Sequence, residues 1–440
     1  MGILQNDKHR PKIQVGAGLE YSCRVVLLLY IITMPFVSAF SFTGTVSLPL
    51  IFAVILFLLM GLQVIRKGKL PDGFIGVDII IISLLLFLAL FSFVTNGFGN
   101  SKSFNHTIAY LSSFVLFYIT IKFIFFYIKD KDWLLKKVLQ FITYATVISA
   151  VYANVEFISS NLFDLNLNEY IPRPSEDEKF YEASVVGFLY RARGFAPESG
   201  VFTQMMELFL PLTVYYLFFS GFCKWVRWVK RVAITLIIFS IIFAASSATF
   251  IILPIAILIA SIIYIKKIVS YILNKPVLFY LKTLVVISVG LLINNYLSIY
   301  TNILLSVTDK IDSGSFDDRQ GRIDFFYEEF SKFTIVNKLI GAGPAGFDIL
   351  GFESSKSIVS LYYNITFELG LVSLFILFAF MAYIFFYAFS IKNKIGFFIM
   401  IAVLSGIMHY YFVHNYWVPW FWFIAAFTIF CSKYFDSQSK

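Results

Sequence analysis

Two pairs of arginines stand outside the apolar runs of this chain. Arg191 and Arg193 lie in residues 190–204 (YRARGFAPESGVFTQ), and Arg319 and Arg322 in residues 317–347 (DDRQGRIDFFYEEFSKFTIVNKLIGAGPAGF). A guanidinium presents a planar fork to phosphate oxygens and stays charged at any relevant pH. Its charge-assisted hydrogen bonds are about twice as strong as neutral ones. Arg191 and Arg193 also precede a helix expected to begin near Gly200, whose N-terminal amides favour an anion. The plainer role for any one arginine is pairing with a local carboxylate or a lipid head group. Two pairs in two loops on one side of a membrane favour a doubly charged anion, and hence a lipid-linked phosphate.

The carboxylates and histidines come next. Glu198 follows Pro197, and Gln204, Glu207 and Pro211 fall at i, i+3 and i+7 on one helix face. A carboxylate inside a bilayer costs ~2.5 kcal/mol or more, so Glu207 is expected to face the protein interior. A buried helix–helix hydrogen bond is its plainer role; a base or acceptor-orienting group, Glu198 or Glu207, is the functional one. His409 and His414 flank the end of a late apolar run beside Trp417 and Trp420. One of them is a candidate proton acceptor at the external surface, against an interfacial aromatic belt as the plainer reading. No grouping of His, Cys and carboxylate has metal-ligand spacing, so neither metal nor cofactor is expected. The run from Gly341 through Gly343 to Gly346 spells G-x-G-x-x-G, but no strand–helix unit surrounds it and Pro344 removes an amide. A tight turn at the membrane surface is expected there, not a dinucleotide site.

The elements that position these residues are membrane helices. The chain has 440 residues, 59% hydrophobic and 14% charged, with a mean hydropathy of +0.82; soluble domains run near ~25% charged. Its 53 Phe and 26 Tyr suit lipid-facing and interfacial surfaces. The net charge of +9 is scattered through short loops, so no nucleic acid is expected as a partner. Cys23, Cys223 and Cys431 are far apart and suggest no disulfide framework. A basic N-terminus (Lys8, Arg10, Lys12, Arg24) leading into an apolar run without a small-residue cleavage site reads as an uncleaved first span.

A helix needs ~20 apolar residues to cross the bilayer. Twelve runs qualify: 25–42, 46–64, 78–96, 107–128, 138–159, 200–219, 231–247, 249–265, 278–298, 358–390, 395–413 and 416–434. The seventh and eighth are divided only by residues 244–247. The tenth is too long for one simple span and is expected to open with a short interfacial or tilted segment around Tyr362 to Asn364. With both termini inside, the loops bearing Arg66, Lys67 and Lys69, then Lys129 to Lys137, Lys224 to Arg231, Lys266 to Lys275, and Lys392 with Lys394 all fall on the cytoplasmic side. The three thiols fall there too, where they stay reduced. The expected fold is all-α: one integral domain over 1–440, about 12 transmembrane helices, and two large external loops at 160–199 and 299–357.

Three motifs, in order, resemble one family. Arg191-Ala-Arg193-Gly194-Phe195-Ala-Pro197-Glu198 resembles the signature before a central span of O-antigen polymerases and ligases. Gly321-Arg322-Ile-Asp-Phe-Phe with Leu339-Ile-Gly341-Ala-Gly343-Pro-Ala-Gly346-Phe347 resembles their second external loop, and Glu368-Leu-Gly370 the start of the following span. The likeness covers roughly residues 185–375. It implies a GT-C-like glycosyltransferase of the bacterial inner membrane, both of its large loops periplasmic, working without metal on undecaprenyl-diphosphate-linked glycan as donor and acceptor. A chain-length regulator and a flippase would be its partners. The resemblance gives Arg191, Arg193, Arg319 and Arg322 the diphosphate, leaves Glu198 or His414 as base, and puts Gly194, Glu207, Gly341, Gly343, Glu368 and His409 around the substrate. Ligases carry a His-Asn pair nine residues before that glutamate; here the slot reads Val359-Ser360, which favours the polymerase. No Arg-x10-Gly spacing is present either, since Phe202, Gln204, Phe330 and Phe333 stand eleven residues after the four arginines. The alternatives are the ligase and a lipid-linked oligosaccharide flippase.

Overall fold

A computed structural model describes residues 15–41, 46–97, 99–172, 185–186, 189–264, 315–349 and 360–438. Its helices in chain order are α1 (Val15–Thr33), α2 (Leu48–Lys67), α3 (Val77–Gly97), α4 (Ser101–Tyr127), α5 (Lys131–Leu162), α6 (Ser199–Phe219), α7 (Arg227–Ala244) and α8 (Ser247–Ile263). Then follow α9 (Ser315–Lys332), α10 (Ile335–Ile340), α11 (Gly346–Ile349), α12 (Leu361–Ser390), α13 (Lys394–His409) and α14 (Trp420–Gln438). An antiparallel pair, β1 (Val185–Val186) with β2 (Leu189–Tyr190), is the one sheet among the described residues.

Apolar side chains in a solvent without hydrogen bonds force the backbone to satisfy itself, and the α-helix does so within each segment. Six helices, α2 to α6 and α12, are long and apolar enough to cross a membrane; α8 and α13 are apolar but shorter. The chain is therefore a polytopic, membrane-embedded helical protein. Eleven of the twelve apolar runs overlap a described helix; the run 278–298 lies outside the described residues, as do 173–184 and 187–188 of the first long loop and 299–314 and 350–357 of the second. The first helix is displaced from its expected position: it begins by Val15 and ends at Thr33, leaving residues 34–41 to turn across the bundle end. The expected break between the seventh and eighth runs is present, with Ala245 left-handed at φ 45°.

The helices differ in how much of their surface they bury. α14 is buried continuously from Trp420 to Ser432, and 83% of the apolar window of α6 is buried, against 22% for α2. Around α14, the Phe125 ring lies 5.6, 5.9 and 5.4 Å from Phe423, Phe427 and Phe430, and Trp420 Nε1 donates to Met34 O at 2.8 Å. α13 packs on α6 and α8, while α12 packs on α3, α13 and α14.

α12 is broken at Gly370 (φ 84°, ψ 173°), further into the helix than its expected irregular start. The break frees carbonyls that a spanning helix cannot leave unpaired. The G-x-G turn between α10 and α11 supplies the donors: Ala342 N to Phe367 O at 2.8 Å and Gly343 N to Glu368 O at 3.1 Å. Ser92 Oγ also donates to Glu368 O at 2.8 Å, and Asn96 Nδ2 to Gly341 O at 3.0 Å. The turn is thus the tight one expected, and its glycines let two backbones touch. A Cβ on Gly341 would lie 2.1 Å from Glu368 O, and one on Gly370 2.1 Å from Leu339 O.

Candidate functional site

The broken start of α12 brings together residues from four elements. His106 and Tyr110 of α4 stand one turn apart, as do Asn364 and Glu368 of α12, so each helix presents both members of its pair on one face. Glu368 is 1% exposed. Its Oε1 lies 2.9 Å from His106 Nδ1, and its Oε2 accepts from Tyr110 OH at 2.7 Å. Asn364 Nδ2 in turn donates to Tyr110 OH at 3.2 Å. With one oxygen on the imidazole and the other on the phenol, Glu368 is committed as an orienting group. In the neutral tautomer that donates from Nδ1, His106 keeps Nε2 as an acceptor. Its side chain is 29% exposed while the carboxylate is covered, an arrangement that suits a general base held by a buried acid.

Two further groups lie within electrostatic range of His106 or of each other. The connection between α13 and α14 carries His414, edge-on to Trp417 with ring centroids 5.0 Å apart. Burial first, then the neighbouring His106 and Arg322, push the His414 pKa down to about 4, so it is neutral at pH 7. Arg322 comes from α9, whose aromatic face is seated on the first half of α12: Phe326 lies 4.8 Å from Tyr363 and 6.1 Å from Phe367, and Phe333 4.9 Å from Phe367. Phe326 and Phe330 are at i and i+4 on α9, and Phe333 follows just past the end of the helix in the same cluster. The arrangement holds an imidazole base, a second neutral imidazole and a guanidinium at one end of the bundle. That set can take a proton from a hydroxyl and stabilise a departing anion.

The other predicted site residues lie elsewhere. Arg193 is 3% exposed and sits 4.0 Å from Glu156 Oε1, donating from Nε to Asn168 Oδ1 and from Nη1 to Pro197 O, both at 3.3 Å. The backbone amides of Arg193 and Gly194 both donate to Glu156 Oε2, at 3.0 and 2.8 Å. Gly194 turns there with φ +58°. Arg191 Nε donates to Ala244 O at 3.0 Å, at the C-terminal end of α7. This pair therefore ties its own loop to α5 and α7. Glu198 is exposed immediately before α6, and its side chain does not cap that helix. Glu207 faces inward as expected, 2.9 Å from His409 Nδ1, with both side chains 0% exposed. His409 is thus removed from the external surface where it was expected to act. The side chain of Arg319 lies outside the described residues.

No family model matches the chain, and no curated protein matches it in sequence. His106 is the candidate site residue that sequence reasoning missed. Its signal was the spacing to Tyr110, an imidazole and a phenol one turn apart at the start of an apolar run.

Proposed function

We propose that the chain extends a surface polysaccharide by transferring a growing glycan from undecaprenyl diphosphate to the next lipid-linked repeat unit. The reading draws on the order of the three motifs and on the chemistry available at the α12 break. The observation that carries it is the Glu368–His106 dyad, with His414 and Arg322 within electrostatic range of one another beside it. In this mechanism an acceptor hydroxyl gives its proton to His106 Nε2 as its oxygen bonds to the anomeric carbon. The bond from that carbon to the diphosphate oxygen breaks, and undecaprenyl diphosphate leaves with the electron pair. Arg322 stabilises the charge that builds on the leaving oxygens, the place where a preorganised cation accelerates most. Arg191 and Arg193 serve here as positioning residues that fix the loop entering α6. The reaction would take place on the periplasmic side of the inner membrane.

Complementation of a polymerase-deficient strain tests this reading. His106→Ala and Arg322→Ala should each cut polymer by ~100-fold or more, leaving core carrying a single repeat. Full-length polymer from both variants would sink it. One observation favours a flippase as the second reading. Discontinuous helices and buried charges mark transporters, and this bundle contains the Gly370 break as well as the buried Lys122–Asp78 contact at 2.5 Å. Repeat units accumulating untranslocated in a deletion strain would select that alternative.

A further inference from the structure

At the bundle end opposite the α12 break, the last turns of α2, α4 and α14 surround a cavity of about 570 Å³. Lys67, Lys69, Lys129, Lys131 and Lys433 line it, against one carboxylate, Asp72. Lys131 is anchored, its Nζ donating to Phe125 O and Phe126 O at 2.8 Å each. The Lys67 ammonium lies 4.5 Å above the Tyr127 ring. Among the described residues no carboxylate pairs with Lys67, Lys69, Lys129 or Lys433. A second, independent feature marks the wall of the same cavity. Gln63 is 1% exposed, and neither its amide nitrogen nor its amide oxygen has a partner. Buried amides are ordinarily hydrogen-bonded. Like charges gathered around an unpartnered amide make an arrangement that an anion with several oxygens would complete.

We propose that this cavity binds a phosphate-bearing anion, supplied by the head group of an anionic phospholipid. Lysines are point-charge phosphate binders, and basic pockets between spanning helices bind such head groups. The access route fits a lipid. Leu58, Leu62 and Ile65 form one stripe of α2, 60%, 55% and 83% exposed, leading toward Lys67. An acyl chain lying along that stripe would bring its phosphate to the lysines, with Gln63 donating from below.

The test uses the full chain in phosphatidylcholine nanodiscs, titrated with phosphatidylglycerol and, in a parallel arm, with inorganic pyrophosphate. Lys67→Gln, Lys129→Gln and Lys433→Gln combined should weaken phosphatidylglycerol binding by roughly 100-fold, about fivefold per lysine. Arginine at the same three positions should keep binding within a few-fold. A control triple, Arg66→Gln, Lys136→Gln and Arg227→Gln, removes three cations outside the cavity and should leave binding unchanged. Binding of phosphatidylglycerol with pyrophosphate silent supports the lipid source, and displacement by pyrophosphate supports the same site filled by a free phosphate. Wild-type binding by the cavity triple, or equal loss in the control triple, overturns the proposal.

Discussion

Gly370→Ala attacks the contact that holds the candidate site in shape. Gly370 has φ 84° and ψ 173°, a region that is essentially glycine's alone and costs ~1–3 kcal/mol for another residue. The added Cβ would sit 2.1 Å from Leu339 O and 2.3 Å from its carbonyl carbon, both backbone atoms that cannot swing aside. The α10–α11 turn would have to retreat, losing Ala342 N to Phe367 O and Gly343 N to Glu368 O, each worth ~0.5–1.5 kcal/mol net. Together these come to about 2–6 kcal/mol of local destabilisation. Hydrogen–deuterium exchange of residues 335–347 reads that change directly, because local opening governs amide protection. Exchange there should accelerate by ~30-fold or more, while α14 stays protected. Gly321→Ala, whose Cβ meets nothing within 4 Å, is the matched control. Gly341→Ala should give nearly the same effect, and the double variant little more than either, since both break one contact. Wild-type exchange in Gly370→Ala would refute the reasoning.

Three other outcomes follow from the buried charges. His409→Leu strands the fully buried Glu207 and should lower stability by ~3 kcal/mol or more, with Glu207→Leu in the same chain restoring most of it; equal melting of single and double variants in detergent contradicts this. Arg193→Ala should destabilise more than Arg191→Ala, because it removes the cation beside the 2%-exposed Glu156 whereas the other loses a bond to a carbonyl; the reverse order of melting would refute the clamp. His414, held near pKa 4 against ~6.5 unfolded, stays neutral in the fold, so its contribution is complete above about pH 6.5 and is lost as pH falls through about 4. His414→Gln should flatten that acid limb in a melting-versus-pH profile, and superimposable profiles would exclude the assignment.

Much of the bundle is written in the apolar runs, because in a bilayer each run must satisfy its own backbone and needs no partner to become a helix. The order of burial is written there too, in reverse of hydropathy. α2, at a mean hydropathy of 2.7, is 22% buried over its apolar window, whereas α6, at 1.3, is 83% buried. A span that faces lipid is apolar on every side, while one inside the bundle carries polar residues that pair there. The Gly370 break, by contrast, was hidden. A glycine is common in membrane helices, and only the facing Gly341, with the same backbone conformation at φ 84°, shows that the two exist for each other.

The arginine pairs show how proximity in sequence misleads about function. Arg191 and Arg193 are two residues apart, a spacing that would put them on one face of an extended segment, yet their side chains diverge, one to Ala244 O and the other to Glu156. Arg322 lies on α9, whose landing on α12 is fixed by Phe326 and Phe333 against Tyr363 and Phe367, within electrostatic range of His414. His106 and Glu368 are separated by 262 residues. Their pairing became legible only when the broken turn of α12 met α4. The local spacings, His106 to Tyr110 and Asn364 to Glu368, each name a helix face but not the face opposite. Chemistry read from sequence therefore located the polar loops, while the acid–base pair depended on a contact between two helices that no single run encodes.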